Sequence, residues 1–336
     1  MSVVAHLASP RLTLLGMAVL GAGVAGTHYL PEYRSILLAA PMLLLAVNLL
    51  ASLATRTQFR RQPALLVFHL CLLVILLLTA LGQLTFFKGR IEIAEGQVFD
   101  PGAVTVTVAG PWHDRRLERL EFEQGAIRIE YAPNLRRGRT ESRIRTLERD
   151  ARPREVVVGD DDPLIVAGYR FYTTPNKGYA AALSWSAGGE TRAGFVHFPA
   201  YPLHDWKQIN EWQTPGGQRL QFELPSLPPV PANRAWVLSS ATAEATLELR
   251  VDGRSLSLRP GESVSLGSER LRFDGVRLWM GYAISYDPTL PWLLASSLFG
   301  VFALAWHFAR RYGNPPPAAE REPRSAAHVH DVLVRS

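Results

Sequence analysis

The stretch LVFHLCLLVILLLTA, from Leu66 to Ala80, is almost wholly hydrocarbon, yet His69 stands inside it with Cys71 two residues on. An imidazole offers a ring-nitrogen lone pair to a metal ion or a cofactor iron. In an apolar span such a side chain is costly and faces a partner or a cavity, which is the functional reading. The packing alternative is a neutral ring hydrogen-bonded to a neighbouring helix, worth about 1 kcal/mol. Spacing leaves the two readings even. Leu65, Leu66, Leu72 and Leu73 would wall a flat cofactor or face lipid equally well. Cys71 points about 200° round a helix from His69, so the two share no site.

Other histidines compete for the same role. His307 stands three residues before Arg310 near the end of the last apolar window, at a depth neighbouring that of His69. An axial pair of His69 and His307 within one chain is therefore geometrically conceivable, against an interfacial role for His307 beside Trp306. His28, His328 and His330 read as surface residues. In HFPAYPLHDWKQINEWQTP, His197 and His204 could bind a metal or haem, but no cysteine or dense acidic cluster joins them at ligand spacing. A Pro- and aromatic-rich loop on the membrane-facing side accounts for Trp206 and Trp212 equally well. The Arg-dense segment from Arg136 to Arg154 could dock an anionic partner through guanidinium–carboxylate pairs. Its interspersed acids favour a solvated strand edge or loop.

These residues are positioned by four apolar windows and one long polar region. The windows are Leu12–Leu30, Ser35–Ala54, Ala64–Phe87 and Leu290–Phe308, each near the roughly 20 residues that a membrane-crossing helix needs. Three of them crowd the first ninety or so residues, which argues against buried core helices of a soluble protein. The first could instead be a cleaved signal peptide, although nothing before it is strongly basic. Arg56, Arg60 and Arg61 follow the second window, Arg310, Arg311, Arg321 and Arg324 follow the fourth, and Arg11 precedes the first. This bias puts both termini in the cytoplasm and the middle region outside. The net charge of +6 is thus partly topological, and with no binding motif beside it gives no case for nucleic acid. With a single cysteine, in a span, the exported region has no disulfide. The absence of CxxC and CxxCH excludes a thiol–disulfide relay and a c-type cytochrome in this chain.

The expected architecture is a polytopic α-helical membrane protein with four transmembrane helices and a large, β-rich, mainly antiparallel extracytoplasmic domain. Residues 1–87 hold three spans (about 12–30, 35–54 and 64–87), residues 88–287 the exported domain, residues 288–309 the fourth span and residues 310–336 a cytoplasmic tail. Short alternating runs such as LEFEQGAIRIE and LIVAGYRFYT, separated by Gly, Pro, Asn and Asp, predict the strands. GRIEIAEGQVF (Gly89–Phe99) and GRSLSLRPGESVSL (Gly253–Leu266) each read as strand, Gly-containing turn and return strand, giving two similar hairpins.

The order of parts resembles the ResB (CcsB) family of cytochrome c biogenesis, in its stand-alone form without the CcsA part. RQPALLVFHLCLLVILLLTALG (Arg61–Gly82) is similar to that family's third span, and GRIEIAEGQ (Gly89–Gln97) to the exit from it. GYRFYTT (Gly168–Thr174) and GYAISYDPTLPWLLASSLFG (Gly281–Gly300) are similar to its domain core and its last span. The resemblance implies that His69 is a haem ligand within the bacterial inner membrane. It further implies a haem b in transit, a CcsA-type partner supplying a second histidine, and delivery outward to apocytochrome c. The tryptophan-rich segment of that partner is absent here, and the exported domain is shorter than is usual in the family. No general acid, base or nucleophile is identifiable in the chain, so any synthase activity belongs to a complex. The rival reading is a non-catalytic scaffold or assembly factor for a respiratory complex, with His69 merely packing.

Overall fold

A computed structural model describes residues 3–147, 154–202, 207–214, 217–225, 227, 230–231, 233–243 and 245–313. The chain divides into two compact units, Met1–Gln83 with Thr289–Ser336, and Leu84–Pro288.

The first unit is helical: α1 (Val3–Leu7), α2 (Pro10–Tyr29), α3 (Arg34–Thr55), α4 (Thr57–Arg61), α5 (Pro63–Thr85) and α6 (Leu290–Tyr312). Local chemistry sets their ends. Ser9 caps α2 by accepting from the Arg11 amide at 3.2 Å, and Pro10 and Pro63 stand at first-turn positions where the missing N–H costs nothing. Arg310 and Arg311 lie in the last turn of α6, where a backbone dipole favours cations. Four helices among the described residues are long and apolar enough to cross a membrane. In the apolar windows of α2, α5 and α6 only 11% of residues are buried inside the protein. Val67, Leu70, Val74, Leu77 and Leu81 form one outward stripe along α5. Apolar surface on that scale needs a non-aqueous surround, and the chain is a multi-pass membrane protein.

The spans pack through small residues and one polar hub. A Cβ on Gly23 would lie 2.4 Å from the Leu37 carbonyl oxygen, and one on Gly16 would lie 2.7 Å from a Leu45 methyl, so glycine at both positions lets α2 lie close against α3. Asn48, buried in α3, donates Nδ2 to the carbonyls of Leu7 (2.5 Å) and Ser9 (3.1 Å) and accepts from the Thr13 hydroxyl at 2.7 Å. It thereby satisfies main-chain oxygens freed where α1 gives way to α2.

The second unit is a set of three antiparallel sheets. Its strands are β1 (Phe87–Ala94), β2 (Thr105–Ala109), β3 (Phe122–Ala132), β4 (Arg136–Thr146), β5 (Arg154–Val158), β6 (Leu164–Val166), β7 (Tyr169–Ala187), β8 (Glu190–Ala200), β9 (Ile209–Gln213), β10 (Arg219–Glu223), β11 (Trp236–Leu238), β12 (Leu247–Val251), β13 (Arg254–Leu258), β14 (Ser263–Leu266) and β15 (Glu269–Tyr286). The largest sheet runs β2–β1–β15–β7–β6, with β14 on β15 and β8 on β7. The others run β13–β12–β10–β9 and β11–β3–β4–β5. One apolar core, including Ile127 and Ile144, Phe171 and Phe273, and Phe222 and Leu249, draws on all three. The expected fold class, a polytopic helical protein with a β-rich antiparallel region, is the one observed.

The two expected hairpins are not made. After Gly96 the chain leaves β1 and bridges Val98 to Glu123 of β3, while β1 pairs with β15 and β2. Likewise β13 pairs back onto β12 and β14 onto β15, so the Pro260–Gly261 turn separates two sheets. The true hairpin turn is Asp252–Gly253, with φ of +48° and +77°, the conformation a two-residue antiparallel turn requires.

Buried polar groups tie the sheets together. Glu95 accepts from the amides of Ile127 (2.7 Å) and Leu278 (3.0 Å), linking β3 to β15 through one carboxylate. Tyr282 donates to Gln124 Oε1 at 2.6 Å, and Gln124 Nε2 donates to Ser142 at 2.7 Å. The Ser142 hydroxyl lies 2.6 Å from the Tyr282 oxygen, which closes the ring.

Candidate functional site

His69 occupies the second turn of α5. Its Nδ1 lies 2.8 Å from the carbonyl oxygen of Leu65, one turn earlier. A carbonyl only accepts, so Nδ1 carries the proton and the neutral ring keeps a lone pair on Nε2. A carbonyl bonded to one ring nitrogen fixes the tautomer and the ring orientation, as it does in metal-ligating histidines. No described protein group bonds Nε2. The ring is held by aromatic neighbours: Phe59 of α4 at 4.7 Å, tilted 59°, and Phe68 edge-on at 5.3 Å. Phe59 is buried, a role that its place in a short arginine-flanked segment did not signal.

The opposite side of α5 meets α6. A Cβ built on Gly300 would stand 3.4 Å from Cys71 Cβ, so Cys71 serves close helix packing. With about 100° of rotation per residue, His69 is turned away from that contact. His307 sits elsewhere, lining a pocket of about 320 Å³ with Arg61, Gln62, Pro63, Ala64, Arg310 and Arg311. Its ring meets Phe308 edge-on at 5.6 Å. His69 and His307 share no described contact. A haem-type iron on this face of α5 thus finds one free nitrogen from this chain, with the donor chemistry that such an iron takes.

The remaining sequence candidates resolve into structural roles. His197, on β8, stacks on Trp279 at 5.6 Å and 7°, with Nδ1 3.5 Å from Glu92 Oε2. Among the described residues no group of three His, Cys, Asp or Glu side chains is placed to hold a metal. His204, Trp206, His328 and His330 lie outside the described residues. Trp212 meets Trp185 edge-on at 5.4 Å and packs on the β core, where a membrane-facing loop had been expected. Most of the Arg-dense segment is β4, an inner strand with β3 and β5 on its two sides. Arg137 pairs with Asp160, Arg139 with Glu141, Arg143 with Glu155 and Arg145 with Glu123. Carboxylates of the same sheet and its flanking loop thus already occupy these guanidinium groups.

Two sites in the β unit escaped sequence reasoning. His113 donates Nδ1–H to the Thr85 carbonyl (3.1 Å) and accepts from the Tyr169 hydroxyl at Nε2 (2.8 Å). It stacks on Phe87 at 4.8 Å, and burial pushes the Tyr169 phenol up to about 12. Lys177 is 1% exposed, with its ammonium 5.8 Å over the Tyr131 ring. Burial above all, with Arg137 nearby acting in the same direction and Asp160 against it, lowers its pKa to about 8. The run PNKGYAAAL carries no local sign that this lysine turns inward, because its partners come from β3 and β4.

Fold and site together define a polytopic membrane protein with a β-rich domain and, on α5, an imidazole nitrogen that no described group bonds. Residues 45–199, a stretch that takes in His69, match the model of the ResB-like family. The similarity noted for Gly281–Gly300 lies outside the matched residues. Among solved structures the chain is similar to "Cytochrome c Heme Lyase CcmF" at 11% identity and a TM-score of 0.28, covering 89% of this chain and 34% of that one. The chain thus spans about a third of that protein's length, and likeness at this level carries no argument about function. No curated protein matches the chain.

Proposed function

We propose that this protein acts in cytochrome c biogenesis, binding haem b in the membrane through His69 Nε2. One observation carries the reading: the Leu65 carbonyl holds the Nδ1 proton at 2.8 Å, which leaves Nε2 free in an apolar span of a ResB-like stretch. His69 binds and orients; Phe59 and Phe68 restrain its ring. The second axial nitrogen comes from a CcsA-type partner, a reading supported by the lack of any described contact between His69 and His307, which lines another pocket. Haem, when bound, supplies the vinyl groups that apocytochrome c thiols attack. The bias of arginines towards one side of the spans supports cytoplasmic termini and an extracytoplasmic domain over residues 88–287, in the bacterial inner membrane.

The scaffold reading keeps one specific support, since the contacts of His69 with Phe59 and Phe68 are those of a packed ring. Absorption spectra of the protein co-purified with its partner separate the two. Wild type and His307→Ala are expected to carry haem, and His69→Ala to lose it and regain it with added imidazole. Equal haem in wild type and His69→Ala would sink the ligand assignment. Failure of the pair to mature a reporter cytochrome would sink the biogenesis role separately.

A further inference from the structure

Along β4, Arg137, Arg139, Arg143 and Arg145 each find a carboxylate. The pocket at the start of α5 is different. Arg61, Arg310 and Arg311 line one cavity of about 320 Å³ together with His307, and no carboxylate among the described residues pairs with any of the three. Two of them lie against aromatic faces: Arg310 5.2 Å over the Trp306 ring and Arg311 5.7 Å over the Tyr312 ring. Those contacts leave the N–H forks free to donate. The lining Pro63 and Ala64 form the first turn of α5, so the positive end of a backbone dipole adds to three permanent charges. Like charges gathered in one cavity repel, and an anion of matching size relieves the repulsion.

We infer that this pocket binds the phosphate of an anionic phospholipid headgroup. Guanidinium groups bond phosphate oxygens in bidentate pairs, and basic pockets between membrane helices take anionic headgroups. The neighbouring surface favours a lipid as the source of the phosphate. Trp306, Phe308 and Tyr312, on the last turns of α6, are exposed, which offers apolar and aromatic contact for acyl chains and the headgroup boundary. The site is independent of the haem reading, since His69 lies on the other side of α5.

The test uses the full chain in micelles of equimolar phosphatidylcholine and cardiolipin, with retained lipid read by native mass spectrometry. Wild type is expected to keep cardiolipin in preference to phosphatidylcholine. Arg310→Gln is expected to weaken that preference about fivefold, and the Arg61→Gln, Arg310→Gln, Arg311→Gln triple variant to abolish it. The corresponding triple lysine variant keeps the charge and retains most of the preference, which separates lost binding from lost folding. Arg254→Gln, in the β unit, leaves retention unchanged. Equal retention of both lipids by wild type, or unchanged preference in the triple glutamine variant, would overturn the inference. A thermal shift with inorganic phosphate as large as that with cardiolipin would overturn the lipid assignment in favour of a soluble phosphate.

Discussion

His69 in the helical unit and His113 in the β unit begin alike and end differently. Each donates Nδ1–H to a main-chain carbonyl, at 2.8 Å and 3.1 Å, and each meets a phenylalanine ring. In His113 the other nitrogen is taken by the Tyr169 hydroxyl. In His69 it has no described partner. The same contrast extends to arginine, paired along β4 but unpaired with any described carboxylate at the α5–α6 pocket. A closed polar network serves stability, because an unmade bond in the interior is expensive. An open one inside hydrocarbon, where the solvent offers no substitute partner, is the kind of place where the ligand proposed for His69 would complete the set.

The largest effect that would test this contrast lies at Glu95. Glu95→Ala strands two buried amides on β3 and β15, and a loss of about 3–5 kcal/mol is expected. Denaturant unfolding of the β unit, followed by tryptophan fluorescence, measures it; a loss below about 1 kcal/mol would break the claim that the network is closed. Next come the two histidines. His113→Ala should cost about 2 kcal/mol through its stacking and hydrogen bonds, whereas His69→Ala should change unfolding by no more than about 1 kcal/mol while removing bound haem. If both behaved as stability mutants, the distinction drawn between them would be lost.

Lys177 supplies a pH signature within the closed region. Its folded pKa of about 8 lies below its ordinary 10.5, so the unfolded chain binds the proton more tightly. Stability therefore rises as pH climbs from about 8 towards 10.5, and this contribution is flat below the folded value. The rise is best read below pH 10, the ordinary pKa of Tyr131 and Tyr169. Both phenols are raised to about 12 by burial, so they lose stability as pH climbs above 10. Lys177→Met should remove the rise and be more stable at neutral pH, as calorimetry at several pH values would record. The smallest effect belongs to Arg143, whose pair with Glu155 is more than half exposed on both sides. Arg143→Ala should shift unfolding by less than about 0.5 kcal/mol, and a larger shift would give the β4 arginines a role beyond solvated pairing.

How much of this was legible in the sequence follows from the range of the forces involved. A membrane span is a local property of about 20 residues, so four apolar windows read correctly one at a time. Strand existence is also local, through alternation. Strand partners are not: the segments around Gly96 and Gly261 looked like hairpins, but β1 and β14 find their partner in β15, far along the chain. For the same reason nothing local marks Glu95 or Lys177 as buried, and Trp212 read as well as part of a membrane-facing loop.

By itself the sequence determined that the chain has four apolar spans and a β-rich insert, and that His69 lies within an apolar span. It also separated His69 from Cys71, because helix positions two residues apart differ by about 200°. The tertiary structure decided which nitrogen of His69 is left over, by placing Leu65 O at 2.8 Å and Phe59 against the ring. It decided too that His307 joins three arginines in a pocket apart from His69. Periodicity ranks side chains by face, but only packing between helices settles what each face meets.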